Sequence, residues 1–293
     1  MEQLVFLNGS LLPRSQARIS PFDHGFLYGF GLFETVRAYS GFPFRLDRHI
    51  ARLLRGAAII GLSPNLTAGQ LQAACHHVLS SNSLQEARLR ITMSAGEGEA
   101  TPQPPASAPT TFITASQYVP DQALHVGGAR AVFSALRHNN RSLPARLKTT
   151  NYLDNLMARR EAEAKGADEA LFLNEQGRLC EGSTSNIFLV SGDTLITPSL
   201  ASGILAGITR EAVIEVARAE NLEVVEREVS PEDLAAADEA FLTSSLVEVL
   251  PLVEVEGKPI GASRPGTLTQ RLSEAYAALV KAEMSKAATS TQE

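Results

Sequence analysis

The sequence predicts a two-domain protein of mixed α/β and α+β character, with a small N-terminal domain over 1–119 and a larger one over 120–293. Three observations lead there. The length of 293 residues suits one large domain or two modest ones. Strand-like and helix-like patterns mix in both halves. One composition break interrupts them: "GEGEATPQPPASAPT", from Gly96 to Thr110, is rich in Gly, Pro, Ala and Ser and cannot form a helix or a central strand. It reads as a mobile surface loop. The strand-like "TFITASQYV" follows, and "PDQ", starting at Pro120, is the expected hinge.

In the first domain, "LVFLNGSLL" reads as a hairpin turning at Asn8-Gly9. "LDRHIARLLRGAAIIGL" carries Ile50, Leu53, Leu54, Ala57 and Ala58 at helical spacing, with Asp47 as N-cap and Gly61 as terminator. Arg52 falls opposite that apolar stripe. "TAGQLQAACHHVLS" opens with a capping box, Thr67 to Gln70. His76 and His77 point in different directions on it, so they read as surface residues and not as a metal pair. "ARLRITMSA" alternates strictly, with Leu89, Ile91 and Met93 on one strand face and Arg88, Arg90, Thr92 and Ser94 on the other. That polar face suits solvent or an anion.

In the second domain, "NYLDNLMARREAEAKG" is helical up to Gly166. "EALFLNEQGRLCEGSTSNIFLV" reads as strands around a turn at Asn174–Gly177, with a break at "EGSTSN". "GITREAVIEVARAENL" is a helix opening at Gly207, and "SPEDLAAA" one with Ser230 as N-cap and Pro231 at the first helical position. "EAFLTSSLVEVLPLVEVEG" gives strands with a polar turn at Thr243–Ser245. The last helix is expected over Thr267–Met284, with "SKAATSTQE" as a frayed tail.

Composition narrows the function classes. The chain is 44% hydrophobic and 20% charged, ordinary for a protein with a sizeable core. A net charge of -6 argues against nucleic acid as a partner. Cys75 and Cys180 are too few for a disulfide framework or a zinc site. No apolar run approaches a membrane span, and "MEQLVFLNGS" lacks the pattern of a signal peptide, so no membrane partner and a cytoplasmic location are expected.

Four features in order suggest chemistry: Lys148 in "KTTNY", Glu181 in "EGSTSN", the Gly-containing entry to a helix in "GILAGITR", and the hydroxyl-rich "LTSSLVEV". A helix N-terminus presents unsatisfied N–H groups, which makes Gly207-Ile208-Thr209 a candidate phosphate cradle. Ser244 and Ser245 could add hydroxyls, and Arg52 a charge-assisted pair. A lysine and a carboxylate beside a phosphate site are what pyridoxal 5'-phosphate requires. On the residues alone, each feature keeps an ordinary reading: a solvated lysine, a turn carboxylate, a helix cap, a polar loop, a solvated arginine.

From "LNG" to about Gly261 the chain resembles the class IV, fold-type IV pyridoxal phosphate enzymes, which include branched-chain and D-amino acid aminotransferases, (R)-selective amine transaminases and aminodeoxychorismate lyase. "EGSTSNIFLVSGDTLITPSLASGILAGITR" and "KTTNY" carry the resemblance. It implies a small N-terminal and a larger C-terminal domain of the D-amino acid aminotransferase type, working as a homodimer. It also implies Lys148 as the catalytic Schiff-base lysine and Glu181 as partner of the pyridine nitrogen, oriented by Asn186. Arg52, Ile208, Thr209 and Ser245 become phosphate contacts, and Tyr152 a contact of the ring hydroxyl.

The segment "SPFDHGFLYGFGLFETVRAYSGFPFRLDRHIARL" is similar to aminodeoxychorismate lyases of folate biosynthesis, and so is "ARLRITMSAGEG". The expected activity is therefore release of pyruvate and 4-aminobenzoate from 4-amino-4-deoxychorismate. Arg37 and Arg90 are the expected partners of the two substrate carboxylates, and Tyr28 and Phe33 line the pocket. Transamination between a branched-chain, D-amino or (R)-amine donor and a keto acid is the alternative. Branched-chain enzymes share Tyr28, Phe33, Arg37 and an arginine matching Arg90. Ala95 stands where D-amino acid aminotransferases usually carry an arginine, which counts against that branch. A non-catalytic cofactor carrier or dimeric scaffold is the reading from another class. Intact Lys148 and Glu181 weigh against it.

Overall fold

A computed structural model of the chain describes residues 2–103 and 108–290. It separates into two compact units, Met1–Val119 with Leu147–Asn151, and Pro120–Arg146 with Tyr152–Glu293. The stretch 147–151 departs from the expected division, which placed everything after residue 119 in one domain. Part of the Gly/Pro-rich stretch, residues 104–107, lies outside the described residues.

The first unit contains β1 (Leu4–Leu7), β2 (Ser10–Pro13), α1 (His24–Tyr28), β3 (Gly31–Tyr39), β4 (Phe42–Pro43), α2 (Leu46–Ile59), α3 (Ala68–Ser81), β5 (Ala87–Ser94) and β6 (Thr110–Gln117). Among the described residues, six strands form one antiparallel sheet in the order β2-β1-β6-β5-β3-β4. Asn8 and Gly9 both take positive φ, as the tight turn between β1 and β2 requires. Alternation in β5 buries Leu89, Ile91 and Met93 completely. They pack with Leu32 and Val36 of β3, Ile50 and Leu53 of α2, and Leu71 and Val78 of α3. On the opposite sheet face, Arg88, Arg90, Thr92 and Ser94 of β5 lie beside Phe33 of β3 and Phe112 of β6. Thr67 and Gln70 complete the capping box of α3. Helix α2 starts earlier than expected. Its N-cap is Arg45 in a left-handed conformation, and Asp47 lies in the first turn, where its charge suits the helix dipole.

The second unit contains α4 (Gln122–Gly127), β7 (Ala129–His138), α5 (Leu153–Ala164), β8 (Glu169–Asn174), β9 (Leu179–Gly182), β10 (Asn186–Ser191), β11 (Thr194–Pro198), α6 (Ile208–Ala219), β12 (Glu223–Arg227), α7 (Pro231–Ala235), β13 (Glu239–Ser244), β14 (Glu248–Val255), β15 (Lys258–Pro259) and α8 (Thr267–Ser290). Among the described residues they build a nine-stranded mixed sheet, β12-β11-β10-β13-β14-β7-β8-β9, with β15 on β14. Every residue of β8 is buried. Leu171 and Leu173 face one core, and Ala170 and Phe172 face a second one completed by Ala158 and Ala162 of α5. Burial on both faces explains why "EALFLN" shows no polar alternation. Ser230 and Asp233 form a capping box at α7 with Pro231 behind the cap. Helix α8 continues to Ser290, past the expected end at Met284, because "SKAATS" contains no Gly or Pro to stop it. Among the described residues no helix is long and apolar enough to cross a membrane.

Candidate active site

In the first unit, the site begins with strand β3. The segment 147–151 lies along its start, with Thr149 bridged to Leu32. Phe33 N–H donates to the Lys148 carbonyl at 2.9 Å, and Thr150 N–H donates to Gly31 O at 2.9 Å. The Thr150 hydroxyl and the Asn151 amide both donate to Gly29 O, at 2.7 and 2.9 Å. This is why the lysine sits in "KTTN": Thr149 bridges to β3, and the side chains of Thr150 and Asn151 tie the segment to Gly29, just ahead of that strand. Gly31 is needed because a Cβ there would lie 2.8 Å from the Met93 carbonyl.

Lys148 Nζ stands 4.7 Å from the centroid of the buried Phe33 ring, and the Arg90 guanidinium covers the same ring at 3.9 Å. Arg90 Nε also donates to Thr92 Oγ1 at 3.2 Å. The lysine and the arginine thus share one aromatic platform. Tyr28 lies half-exposed on α1, edge-on to His24.

Arg37 departs from the expected substrate role. It is buried at the far end of β3, where it donates to the Glu86 carboxylate and to the Tyr118 carbonyl, between the Tyr39 and Tyr118 rings. Two strong acceptors engage its Nη1 and Nη2, and its buried Nε has no hydrogen-bond partner among the described residues.

Residue 34 points to the other face of β3, into the core. Glu34 Oε1 accepts from Arg52 Nε at 2.7 Å, and Oε2 accepts from Arg52 Nη2 at 2.6 Å and His49 Nδ1 at 2.8 Å. Burial raises the Glu34 carboxyl. The Arg52 charge and the hydrogen bonds from His49 and Arg52 outweigh it and hold the group at about 2. Burial pushes the His49 imidazole down, more than its bond to Glu34 raises it. Arg52 is therefore not on a solvated face: the buried side of α2 is wider than its apolar stripe and includes His49, Arg52 and Gly56. Sequence reasoning missed Glu34 and His49. The signal was available, since Glu34 interrupts the apolar series Leu32, Val36, Ala38, and His49 and Arg52 share a helix face.

In the second unit, β9 delivers Glu181, which is buried. Its Oε2 accepts from Asn186 Nδ2 and Leu205 N–H, both at 3.0 Å, and the Asn186 amide also donates to Leu205 O at 2.9 Å. A Cβ on Gly207 would overlap Asn186 Oδ1, so glycine is required where the chain enters α6. Helix α6 opens on Gly207 with no side-chain cap, placing the N–H groups of Ile208 and Thr209 in its first turn. Thr243 lies opposite Asn186 in the β10–β13 pairing, and its buried hydroxyl has no hydrogen-bond partner among the described residues. Ser245 sits in the turn between β13 and β14. The Tyr152 hydroxyl donates to the Ser183 carbonyl at 3.1 Å, and Asn155 Nδ2 donates to it at 2.8 Å. Within this unit Asn186 links the group: it bonds Glu181, pairs with Thr243 across β10 and β13, and lies against Gly207 at the start of α6.

Residues 31–255 match the family described as amino-transferase class IV. The chain belongs to the class IV aminotransferases. It is 36% identical over 275 residues to a putative branched-chain-amino-acid aminotransferase of Methanocaldococcus jannaschii, covering 93% of this chain and 94% of that one. It is 35% identical over 281 residues to the aminodeoxychorismate lyase of Bacillus subtilis, covering 95% of each. Its fold is similar to that of the T.th. branched-chain amino acid aminotransferase complexed with N-(5'-phosphopyridoxyl)-L-glutamate, with a TM-score of 0.90 at 30% identity, covering 96% of this chain and 94% of that one. The two-domain fold-type IV architecture expected from the motifs is the architecture of these relatives.

Glu34 gives this class IV aminotransferase a defined acid limit. Its folded value of about 2 lies below the ordinary 4.5, so its stabilisation is complete above 4.5 and is lost as pH falls toward 2. The lowered His49 acts in the same direction below its ordinary 6.5, because unfolding then takes up a proton. The Glu34 contribution is about 3 kcal/mol. Urea unfolding measured across this range should show stability falling steeply below pH 4.5. Glu34→Gln should lower stability at pH 7 and flatten that limb; an unchanged limb would show that the carboxylate is not responsible.

Proposed function

We propose that this chain is a pyridoxal 5'-phosphate-dependent aminotransferase that passes an amino group between an amino acid and a 2-keto acid. The observation that carries the substrate side is Arg90 stacked on Phe33. It is a cation for one distal carboxylate, next to an apolar surface for an aliphatic side chain. Glutamate and a branched-chain amino acid are the two partners such a surface suits, and the glutamate adduct in the similar T.th. enzyme supports the first.

The donor set fits the cofactor. An uncapped helix start and a buried hydroxyl lacking a partner among the described residues suit a phosphate or ring substituent, and Glu181 is a carboxylate oriented by two N–H donors. When bound, pyridoxal phosphate supplies a carbonyl that takes up an amine and a ring that stores the electron pair released at the substrate carbon. Ile208 and Thr209 hold the phosphate through main-chain N–H and hydroxyl, with Ser245 and Arg52 as further partners. Glu181 keeps a proton on the pyridine nitrogen, and Asn186 keeps Glu181 in place. Tyr152 offers its phenol to the ring hydroxyl. Lys148 would hold the cofactor through its amine and would be the base that moves a proton at the substrate carbon.

Aminodeoxychorismate lyase activity is the second reading, favoured by the 35% identity to the Bacillus subtilis lyase. It ranks behind transamination because it relied on Arg37 and Arg90 as a pair, and Arg37 is engaged by Glu86 and Tyr118. One preparation assayed for glutamate formation from 2-oxoglutarate and for 4-aminobenzoate release separates them. 4-Aminobenzoate release without amine transfer would reverse the ranking.

Replacing Lys148 by Ala should lower turnover by roughly 10²–10⁴-fold and abolish the borohydride-fixed cofactor adduct seen by mass spectrometry. Glu181→Gln should retain the adduct and still lose about 10²–10³-fold in kcat, since a neutral amide cannot hold the pyridinium proton. An adduct persisting in Lys148→Ala would overturn the assignment. Arg90→Ala should raise KM for glutamate at least about tenfold while changing that for leucine less than about threefold. Equal changes for both would remove Arg90 from substrate selection.

We also propose a homodimer. The segment containing α1 exposes Phe22, Phe26, Leu27 and Tyr28 together, with Phe26 76% accessible, and a contiguous apolar surface of this kind is usually covered. Sedimentation equilibrium should return twice the chain mass. A monomer at micromolar concentration would refute it.

A further inference from the structure

A second buried carboxylate in the second unit, Glu169 at the start of β8, is unused by the mechanism above. It is 4% exposed, and five donors converge on it. Oε1 accepts from Ala170 N–H at 2.9 Å, from Ser183 N–H at 3.2 Å and from the Ser183 hydroxyl. Oε2 accepts from the Thr184 hydroxyl at 3.2 Å and the Ser185 hydroxyl at 2.9 Å. All three hydroxyls of "STS" therefore end on one side chain. The turn closes tightly around it: Gly182 N–H donates to Ser185 O at 2.6 Å, and a Cβ on Gly182 would overlap Ser185 Oγ.

Ser183 meets Glu169 through both its N–H and its hydroxyl, and the same N–H also donates to the Ala170 carbonyl at 2.8 Å. Its carbonyl is the acceptor for the Tyr152 hydroxyl and Asn155 Nδ2. We propose that Glu169 is a positioning residue for Tyr152, acting through the Ser183 carbonyl. The inference rests on the reading of Tyr152 as a cofactor contact. A carboxylate can accept on both oxygens, whereas an amide offers one acceptor oxygen and one donor NH₂. Glu169→Gln keeps the shape but puts an NH₂ where one acceptor oxygen stood, so the hydroxyls on that side must turn from donors into acceptors, and the turn that carries the Ser183 carbonyl shifts with them. Small displacements of groups around a reacting centre reduce rate far more than they reduce substrate binding.

A double-mutant cycle tests this, with kcat and KM measured on holoenzyme and, separately, the dissociation constant of the apo-protein for pyridoxal phosphate. Glu169→Gln should lower kcat roughly tenfold or more with KM changed less than about threefold, and weaken cofactor binding about fivefold. In a Tyr152→Phe background the same change should lower kcat by no more than about threefold, because the shared path is already broken. Independent effects that multiply would overturn the proposal. So would a lowered melting temperature with kcat and cofactor affinity at wild-type values. If Glu169→Gln does not fold, Ser183→Ala, which removes one hydroxyl and leaves the carboxylate, carries the same cycle. Wild-type protein that bound no pyridoxal phosphate would overturn the reading of the site and this inference together. Wild-type binding with an unaffected Glu169→Gln would overturn the inference alone.

Discussion

The chemistry of the first unit depends on the main-chain pairing of Lys148 with Phe33. A flexible lysine side chain has high rotamer entropy, so the reach of its amine depends on a fixed base. Here the base is fixed by backbone hydrogen bonds to β3 at Gly31 and Phe33, and by Thr150 and Asn151 side chains on Gly29. The alternation of β3 then divides the work. Phe33 faces Lys148 and Arg90, and Glu34, the next residue, faces Arg52 and His49. One strand therefore sets both the aromatic platform and the ion-pair cluster of this unit.

The second unit solves a different problem, orienting a carboxylate at low exposure through neutral groups. Glu181 is directed by the amide of Asn186 and the main chain of Leu205, and the glycine at 207 leaves room for that amide. The Asn186 amide and the Leu205 N–H are neutral donors, and together they fix the direction of Glu181 Oε2. The turn separating Glu181 from Asn186 is only four residues long, and Glu169 secures three of them.

Much of this was legible in the sequence because it depends on local rules. Periodicity places β5 and α2, capping residues place α3 and α7, and Asn8-Gly9 places the first hairpin. The break at "EGSTSN" separates β9 from β10, and Gly207 leads the helix whose first turn holds Ile208 and Thr209, as the sequence suggests. What escaped depends on tertiary partners. Arg37 looks like a substrate arginine until Glu86 and Tyr118, from other elements, are found around it. Arg52 looks solvated until Glu34 is seen to bury a charge beneath α2. Glu169 reads as a plain strand-start acid, since nothing near it in sequence reveals that hydroxyls 14 to 16 residues later converge on it.

The assignment of residues 147–151 to the first unit has a consequence for biosynthesis. The six-stranded sheet uses strands from residues 4–117, but the piece that carries its lysine is translated only after a further 27 residues of the other unit, 120–146. A nascent chain that has released only residues 1–119 has its core helices and strands but an open flank along Gly29–Phe33. That flank closes when Leu147–Asn151 emerges, so the N-terminal portion cannot finish folding as an independent early domain in the way vectorial synthesis usually allows. For the same reason, a fragment cut at Val119 would keep most of a hydrophobic core and lose the lysine that stands over Phe33.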